Sequence, residues 1–179
     1  MFSLRFDQQE IEQWASRYSY PKEDYIVNVI SPRMKSAGYL TRLDFIKLCH
    51  WKTPRSKPKV ESNSEEFIHE VTRTAFSTSS EQLRVEVLTL LRGVGWPTAS
   101  VILHFGHAEP YPILDVRALW SLGVTYPAAR YDFAFWQAYT SACRALAIEA
   151  GVDMRTLDRA LWQYSKEHQP SLKLASREG

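Results

Sequence analysis

The stretch 88-LTLLRGVGWPTASVILHFG-106 sets two glycines around one valine and then runs directly into an apolar helical pattern. The pattern before it ends a helix at Leu91–Arg92. Gly93 and Gly95 can each take a positive φ at no steric cost. Pro97 suits the first turn of a following helix, where its missing N–H is not needed. The chain therefore makes helix, tight turn, helix. Two uses of such a turn are open. It is a plain joint between helices, or it is a cradle in which the free N–H groups at the start of the second helix face a phosphate.

Working outward, nearly every segment reads as helix. Glu10 to Tyr18 spaces Ile11 and Trp14 by three behind a cap at Asp7, and Glu23 to Ile30 follows Pro21. Thr41 to Trp51 opens with Thr-x-x-Asp and buries Phe45 and Leu48. Ser62 and Asn63 open the next helix, with Phe67, Val71 and Ala75 on one face. Ser79-x-x-Gln82 opens another through Leu83, Val87 and Leu91. The longest helices are Tyr131 to Glu149 and Met154 to His168, the latter with a stripe of Met154, Leu157, Leu161 and Tyr164. No hairpin signal or run of alternating strands appears. The class is all-α, one helical bundle over residues 1–170, with a polar, frayed tail over 171–179. Residues 52–59, KTPRSKPK, hold two prolines and cannot be helix throughout.

Composition limits the chemistry. The chain has 179 residues, 45% of them apolar, enough for a sizeable core without staples. Its two cysteines, Cys49 and Cys143, cannot build a four-cysteine zinc site or an iron–sulfur cluster, and no metal site is expected. No signal peptide or apolar run long enough to span a membrane appears, so a reduced, cytoplasmic setting of the bacterial cytosol or nucleoid type is expected, without membrane contact. Net charge is only +2, yet residues 31–60 carry +7. A basic face points to an anionic partner, or else to a solvated lysine-rich loop.

The run LRGVGWPTASVIL closely resembles the hairpin of the helix-hairpin-helix DNA glycosylase superfamily, approximately L-P-G-V-G-x-x-T-A. Leu91, Gly93, Val94, Gly95, Thr98 and Ala99 fall on that pattern. The family places an essential aspartate after the second hairpin helix, and 111-YPILDVRALWSLG-123 has Asp115 there, 22 positions beyond Gly93. The resemblance covers residues 83–123. A helix over 97–106 spans about 15 Å. The connector 107–113 reaches up to about 23 Å, so the chain can double back and bring Asp115 beside the hairpin.

What the resemblance implies is a monofunctional glycosylase acting on duplex DNA with a flipped modified base. Asp115 would stabilise the oxocarbenium-like state as the N-glycosidic bond breaks, beyond its simpler role of capping the helix Val116–Leu122. Bifunctional members carry a lysine two residues after the second hairpin glycine. Here that residue is Pro97, so strand cleavage is not expected unless Lys47 or Lys52 substitutes. No cofactor is required, and a monovalent cation at the hairpin is compatible with the resemblance. DNA contacts are expected from Arg92, Gly93, Val94, Gly95, Trp96 and Thr98, and from Lys52, Arg55 and Lys57 on backbone phosphates. The base pocket is expected at Trp51 and Tyr111, which border irregular segments, rather than at Trp120, with Arg117 assigned to the pocket as well and His50 near Trp51 in sequence. Arg117 stands where a histidine is common. It pairs with Asp115, holds a phosphate, or is a plain surface arginine. His69, His104 and His168 read as structural or solvent-facing.

A monomer is expected. The excised base stays open among alkylated purines, deaminated or oxidised pyrimidines and hypermodified bases. The last would imply defence against phage rather than base-excision repair. A non-catalytic DNA-binding module and a helical protein–protein adaptor are the competing readings.

Overall fold

A computed structural model describes residues 2–124 and 131–170, and every regular element among them is helical. The tail over 171–179 lies outside the described residues. A 3-10 turn, Gln8–Glu10, is capped by the Asp7 side chain and leads into α1 (Ile11–Ser16). A π-helical turn, Ile26–Ile30, continues into α2 (Ser31–Ala37). This extends the helix expected to stop at Ile30. Pro32 does not end it, because the proline falls in the first turn of α2, where its absent N–H matters least.

α3 (Arg42–Lys52) begins as expected at Thr41, whose hydroxyl accepts the Asp44 N–H. The segment KTPRSKPK breaks only at Thr53 (φ −142°, ψ 79°). It then forms a 3-10 turn, Pro54–Ser56, and α4 (Lys57–Glu61), each with a proline in its first turn. α5 (Glu65–Ser77) is capped by Ser64, one to two residues later than the expected start. Its buried face is Ile68, Val71, Thr72 and Ala75, and Phe67 is exposed. α6 (Glu81–Glu86) is capped by Ser80 and tightens into a 3-10 turn at Val87–Leu90. Val85, Leu88 and Leu91 are buried, while Leu83 in the first turn is exposed.

α7 (Trp96–Gly106) follows the hairpin, then α8 (Val116–Ser121), α9 (Phe133–Ala150) and α10 (Met154–His168). α9 and α10 start on the side-chain caps Asp132 and Asp153. Their buried stripes match the expected spacing, including Trp136, Tyr139 and Cys143 on one and Met154, Leu157 and Leu161 on the other. The buried apolar residues form one core, into which both cysteines are packed as free thiols. α10 packs against α1, α8 and α9. The N-terminal strand-like segment is tied down by Ser3 N–H to the Leu122 carbonyl (3.0 Å) and Arg5 N–H to Ser121 (2.9 Å). Among the described residues no helix is long and apolar enough to cross a membrane.

Candidate active site

The hairpin owes its shape to backbone geometry and to one side chain. Gly93 sits at φ +83°, and a Cβ there would lie 2.8 Å from Val60 Cγ2 and 3.2 Å from Lys59 Cβ. Gly95 differs from the expectation of a second positive φ. It is extended (φ −104°, ψ −178°) and acts as N-cap of α7, with no side chain covering that helix end. Asn63, buried and previously read as part of a helix start, clamps the turn. Its Oδ1 accepts the Arg92 N–H at 2.8 Å, and its Nδ2 donates to the Arg92 and Val60 carbonyls at 2.9 and 2.8 Å. α4 and the hairpin are thus locked together.

Arg92 and Gly95 are exposed at the tip. Val94 and Thr98, expected among the DNA contacts, are buried instead. Trp96 is half-buried with its ring 6.4 Å from that of Trp136, rather than free at the surface. These three side chains build the hairpin from inside. The hairpin carbonyls of Leu91, Arg92 and Gly95 accept hydrogen bonds. Among the described residues no cluster of His, Cys, Asp or Glu has the make-up of a metal site.

Asp115 caps α8. Its Oδ1 accepts the Arg117 N–H at 2.8 Å, and its Oδ2 is paired with Lys52 Nζ at the C-terminal end of α3. Burial works against the charge on Asp115, but the Lys52 ammonium and the Arg117 N–H outweigh it and hold the carboxyl below the usual aspartate range. Lys52, expected on backbone phosphate, is therefore placed differently. Its side chain is only 13% exposed and is committed to Asp115. Lys47 is elsewhere, donating to Tyr25 Oη at 3.0 Å.

Asp115 borders two concavities. The first holds about 390 Å³ of space free of protein atoms, mouth included. Tyr18, Tyr20, Trp51 and Trp162 wall it, and Lys52, Asp115 and Asp158 supply its polar lining. The rings brace one another edge to face: Tyr20 with Trp51 at 5.1 Å, Tyr20 with Trp162 at 5.3 Å, and Tyr18 with Trp162 at 5.3 Å. Tyr20 Oη donates to the Trp51 carbonyl (3.0 Å) and Trp51 Nε1 donates to the Pro21 carbonyl (3.2 Å), which fixes that wall. The second concavity is a shallow groove of about 540 Å³ that passes Asp115, Lys52, Arg55 and Pro97 of the hairpin helix. Arg55 and Lys57 are both exposed, Lys57 with Glu61 3.7 Å away.

Trp51 thus reaches the cavity as expected, and Tyr111 does not. Tyr111 is fully buried, stacked on Trp136 at 6.0 Å, with its hydroxyl bonded to Glu81 (2.5 Å) and Arg84 (2.9 Å). The irregular connector is exposed at Ala108, Glu109 and Pro110 and turns into the core only from Tyr111 to Leu114. Trp120 stacks on Tyr164 beneath Arg5, and His50 lines a neighbouring groove with Lys47. Arg117 forms no ion pair with Asp115. Its guanidinium lies 5.4 Å from the centre of the Trp162 ring, so it bears on the cavity through that wall. His104 is structural: Nδ1 meets the Tyr111 carbonyl at 2.6 Å, and burial pushes the ring down to about 3.

Sequence reasoning missed Asp158, Trp162, Tyr18 and Tyr20. Asp158 and Trp162 share one face of α10 as an i, i+4 pair, and only the tertiary fold shows that this face meets Asp115. Asp158 is buried beside Arg155, which Glu23 also holds (2.7 Å). Burial pushes its carboxyl up to about 6, with Arg155 and Lys52 pulling it down and Asp115 and Glu23 adding to the rise. Comparison of the chain with protein-family models, with curated proteins and with solved structures gives no significant match.

Proposed function

We propose that the protein is a DNA glycosylase that hydrolyses the N-glycosidic bond of an extruded, modified base, with Asp115 as the catalytic carboxylate. The observation that carries this is the place of Asp115, at the junction of an aromatic-walled cavity and a groove bordered by Arg55 and the hairpin helix. A flipped base needs a slot with aromatic faces and polar groups. A duplex backbone needs cations and free N–H donors. Asp115 would touch both a base in the first and its sugar in the second. The likeness of LRGVGWPTASVIL and its spaced aspartate to the helix-hairpin-helix glycosylases supports the same reading.

In this reading the base leaves with the electron pair of the C1′–N bond, and positive charge grows on the sugar. The Asp115 carboxylate stabilises that charge, and water adds to C1′ while passing a proton to the carboxylate. Lys52 keeps Asp115 ionised despite its burial. It also offsets part of the negative field, so the pair is expected to loosen when DNA is bound.

One observation favours a second reading, in which the strand is also cut. Lys52 Nζ lies on the very carboxylate that would face C1′. Handing its proton to Asp115 would leave an amine able to displace the base and form a Schiff base, a role closed to Pro97.

The test is mass spectrometry of free bases released from a panel of modified duplexes, with borohydride added in parallel. Asp115→Asn retains an oxygen for the Arg117 N–H but loses the charge, and should slow release at least about a hundredfold. Duplex binding should persist. Full activity in this variant would exclude Asp115 as the catalytic group. Release without a trapped adduct supports pure hydrolysis. An adduct that Lys52→Arg abolishes and Lys47→Arg retains supports the second reading.

A further inference from the structure

We propose that Asp158 meets the extruded base and protonates it as it leaves, so that the substrates are bases uncharged in DNA rather than cationic N-alkylated purines. The inference rests on the glycosylase reading and specifies the base that the same site takes.

The geometry sets Asp158 apart from the other acids around it. Its side chain is 7% exposed, yet it lines the aromatic cavity. Oδ2 is held by Arg155 Nη1, and Oδ1 has no hydrogen-bond partner among the described residues. Three cations stand beside the three carboxyls. Glu23 takes Arg155 at 2.7 Å and Arg159 at 2.8 Å, and Asp115 takes Lys52. Arg155 and Arg159 bring two positive charges to the one charge of Glu23, so Asp158 balances the second through Oδ2 and leaves only Oδ1 free toward the cavity. With Oδ2 on Arg155, Oδ1 is the atom that can carry a proton, and a protonated carboxyl can donate to an acceptor on a ring held between aromatic walls.

The charged and titratable groups around Asp158 come from every neighbouring element. They are Arg155 and Arg159 on its own helix, Tyr18 after α1, Glu23 before the π-turn, Lys52 on α3, Asp115 before α8, and Tyr139 and Cys143 on α9. Tyr18, Tyr139 and Cys143 are all pushed up by burial and stay neutral near pH 7. Asp158, pushed up to about 6, is the acid of this set placed to change charge between pH 5 and 8. In the step itself the C1′–N pair moves onto the base nitrogen, the Asp158 proton moves to the base, and water supplies hydroxyl to C1′ with its second proton passing to Asp115. One bond to nitrogen breaks and one to oxygen forms. A base that is neutral in DNA leaves as an anion unless protonated, whereas 7-methylguanine is already cationic and leaves neutral.

Release should be followed from pH 5 to 8 on duplexes carrying hypoxanthine, uracil, 8-oxoguanine or 7-methylguanine. The wild type should favour one of the neutral bases and slow by roughly tenfold per pH step above about 6. Asp158→Asn, which can still accept from Arg155, should lose about a hundredfold on that base together with the pH dependence. Preference for 7-methylguanine, or an Asp158→Asn enzyme with an unchanged rate and profile, overturns the role of Asp158 and leaves the glycosylase reading standing. No release from any duplex overturns both. A measurement without substitution uses carbon-13 titration of aspartate carboxyls in the wild type, free and bound to a duplex with a non-cleavable 2′-fluorinated nucleoside. The Asp158 titration should shift on binding, and identical curves overturn the proposal even if the variant fails to fold.

Discussion

The hairpin at residues 91–98 and the cavity beside Asp115 are built in opposite ways. The hairpin is made by neighbours in sequence. A positive φ at Gly93, an extended Gly95 and Pro97 in the first turn of α7 suffice to shape it, with Asn63 as the outside clamp. The cavity has no such continuity. Its lining comes from the segment after α1, the end of α3, the lead into α8 and one face of α10. Local geometry yields a turn that presents backbone donors, which suits a phosphate. Side chains brought together from distant segments yield a slot with selective polar groups, which suits one base and not another.

The difference is sharpest at the buried pair. Replacing Lys52 with methionine keeps the stem but leaves the Asp115 charge without its cation. At pH 7 this should cost about 3 kcal/mol of stability, the scale of breaking a buried ion pair. Asp115 has a lowered carboxyl in the folded protein, so its contribution is present above the ordinary aspartate range and is lost as pH falls through the folded value. The gap between wild type and Lys52→Met should therefore be full at pH 7 and shrink as the pH falls toward 4 and below. Denaturant melts across that range measure it. A gap that stays constant with pH would mean that Lys52 acts by packing and not by charge.

The two hairpin glycines offer the second contrast. Gly93→Ala meets both a positive φ and Val60 Cγ2 at 2.8 Å. It should cost about 2 kcal/mol from the left-handed backbone and the clash together. Gly95→Ala meets only Pro97 Cδ at 3.9 Å and should cost less, up to about 1 kcal/mol, because alanine caps a helix more poorly than glycine. Its methyl instead stands at the N-terminus of α7 where a phosphate would approach. Affinity for all duplexes should fall by a similar factor of several. Equal melting of the two variants would remove the structural distinction, and unchanged DNA affinity for Gly95→Ala would take the helix end out of the binding surface.

The same contrast explains what was legible beforehand. Helices whose caps and stripes are local, such as α3, α9 and α10, follow directly from the sequence, as does the capping of α8 by Asp115. Val71, Ala75 and Leu91 are buried as their spacing suggests, whereas Phe67 and Leu83, each in the first turn after the caps Ser64 and Ser80, face solvent. At the candidate site, Asp115 is marked by the resemblance of its motif and Trp51 by its place beside an irregular segment. Tyr111 is expected in the pocket because it borders an irregular segment, but its ring is the stacking partner of Trp136. Asp158 and Trp162 carried no local signal. On α10 they read as polar and apolar positions of an ordinary amphipathic helix, and only packing against α8 turns that face toward Asp115.

The smallest expected effect concerns the basic turn. Residues 31–60 look uniformly cationic in sequence, yet the structure divides them. Lys52 is spent on Asp115, Lys47 on Tyr25 and Arg42 on the Glu61 and Asn63 carbonyls. Arg55 stands exposed at the groove, and Lys57 is exposed with a weak partner. Each exposed cation that meets a phosphate releases a counterion and adds about 0.9 to the slope of log affinity against log salt. Replacing Arg55 and Lys57 with alanine should flatten that slope by up to about two units, with one unit meaning that Glu61 keeps Lys57 from the DNA. The loss should be the same for modified and unmodified duplexes, because a phosphate contact carries no base information. Lys52→Gln gives the control. With its ammonium facing the cavity, it should alter base release and leave the slope within about half a unit. A slope change as large for Lys52→Gln as for the double variant would put Lys52 on the duplex and dissolve the division between groove and cavity.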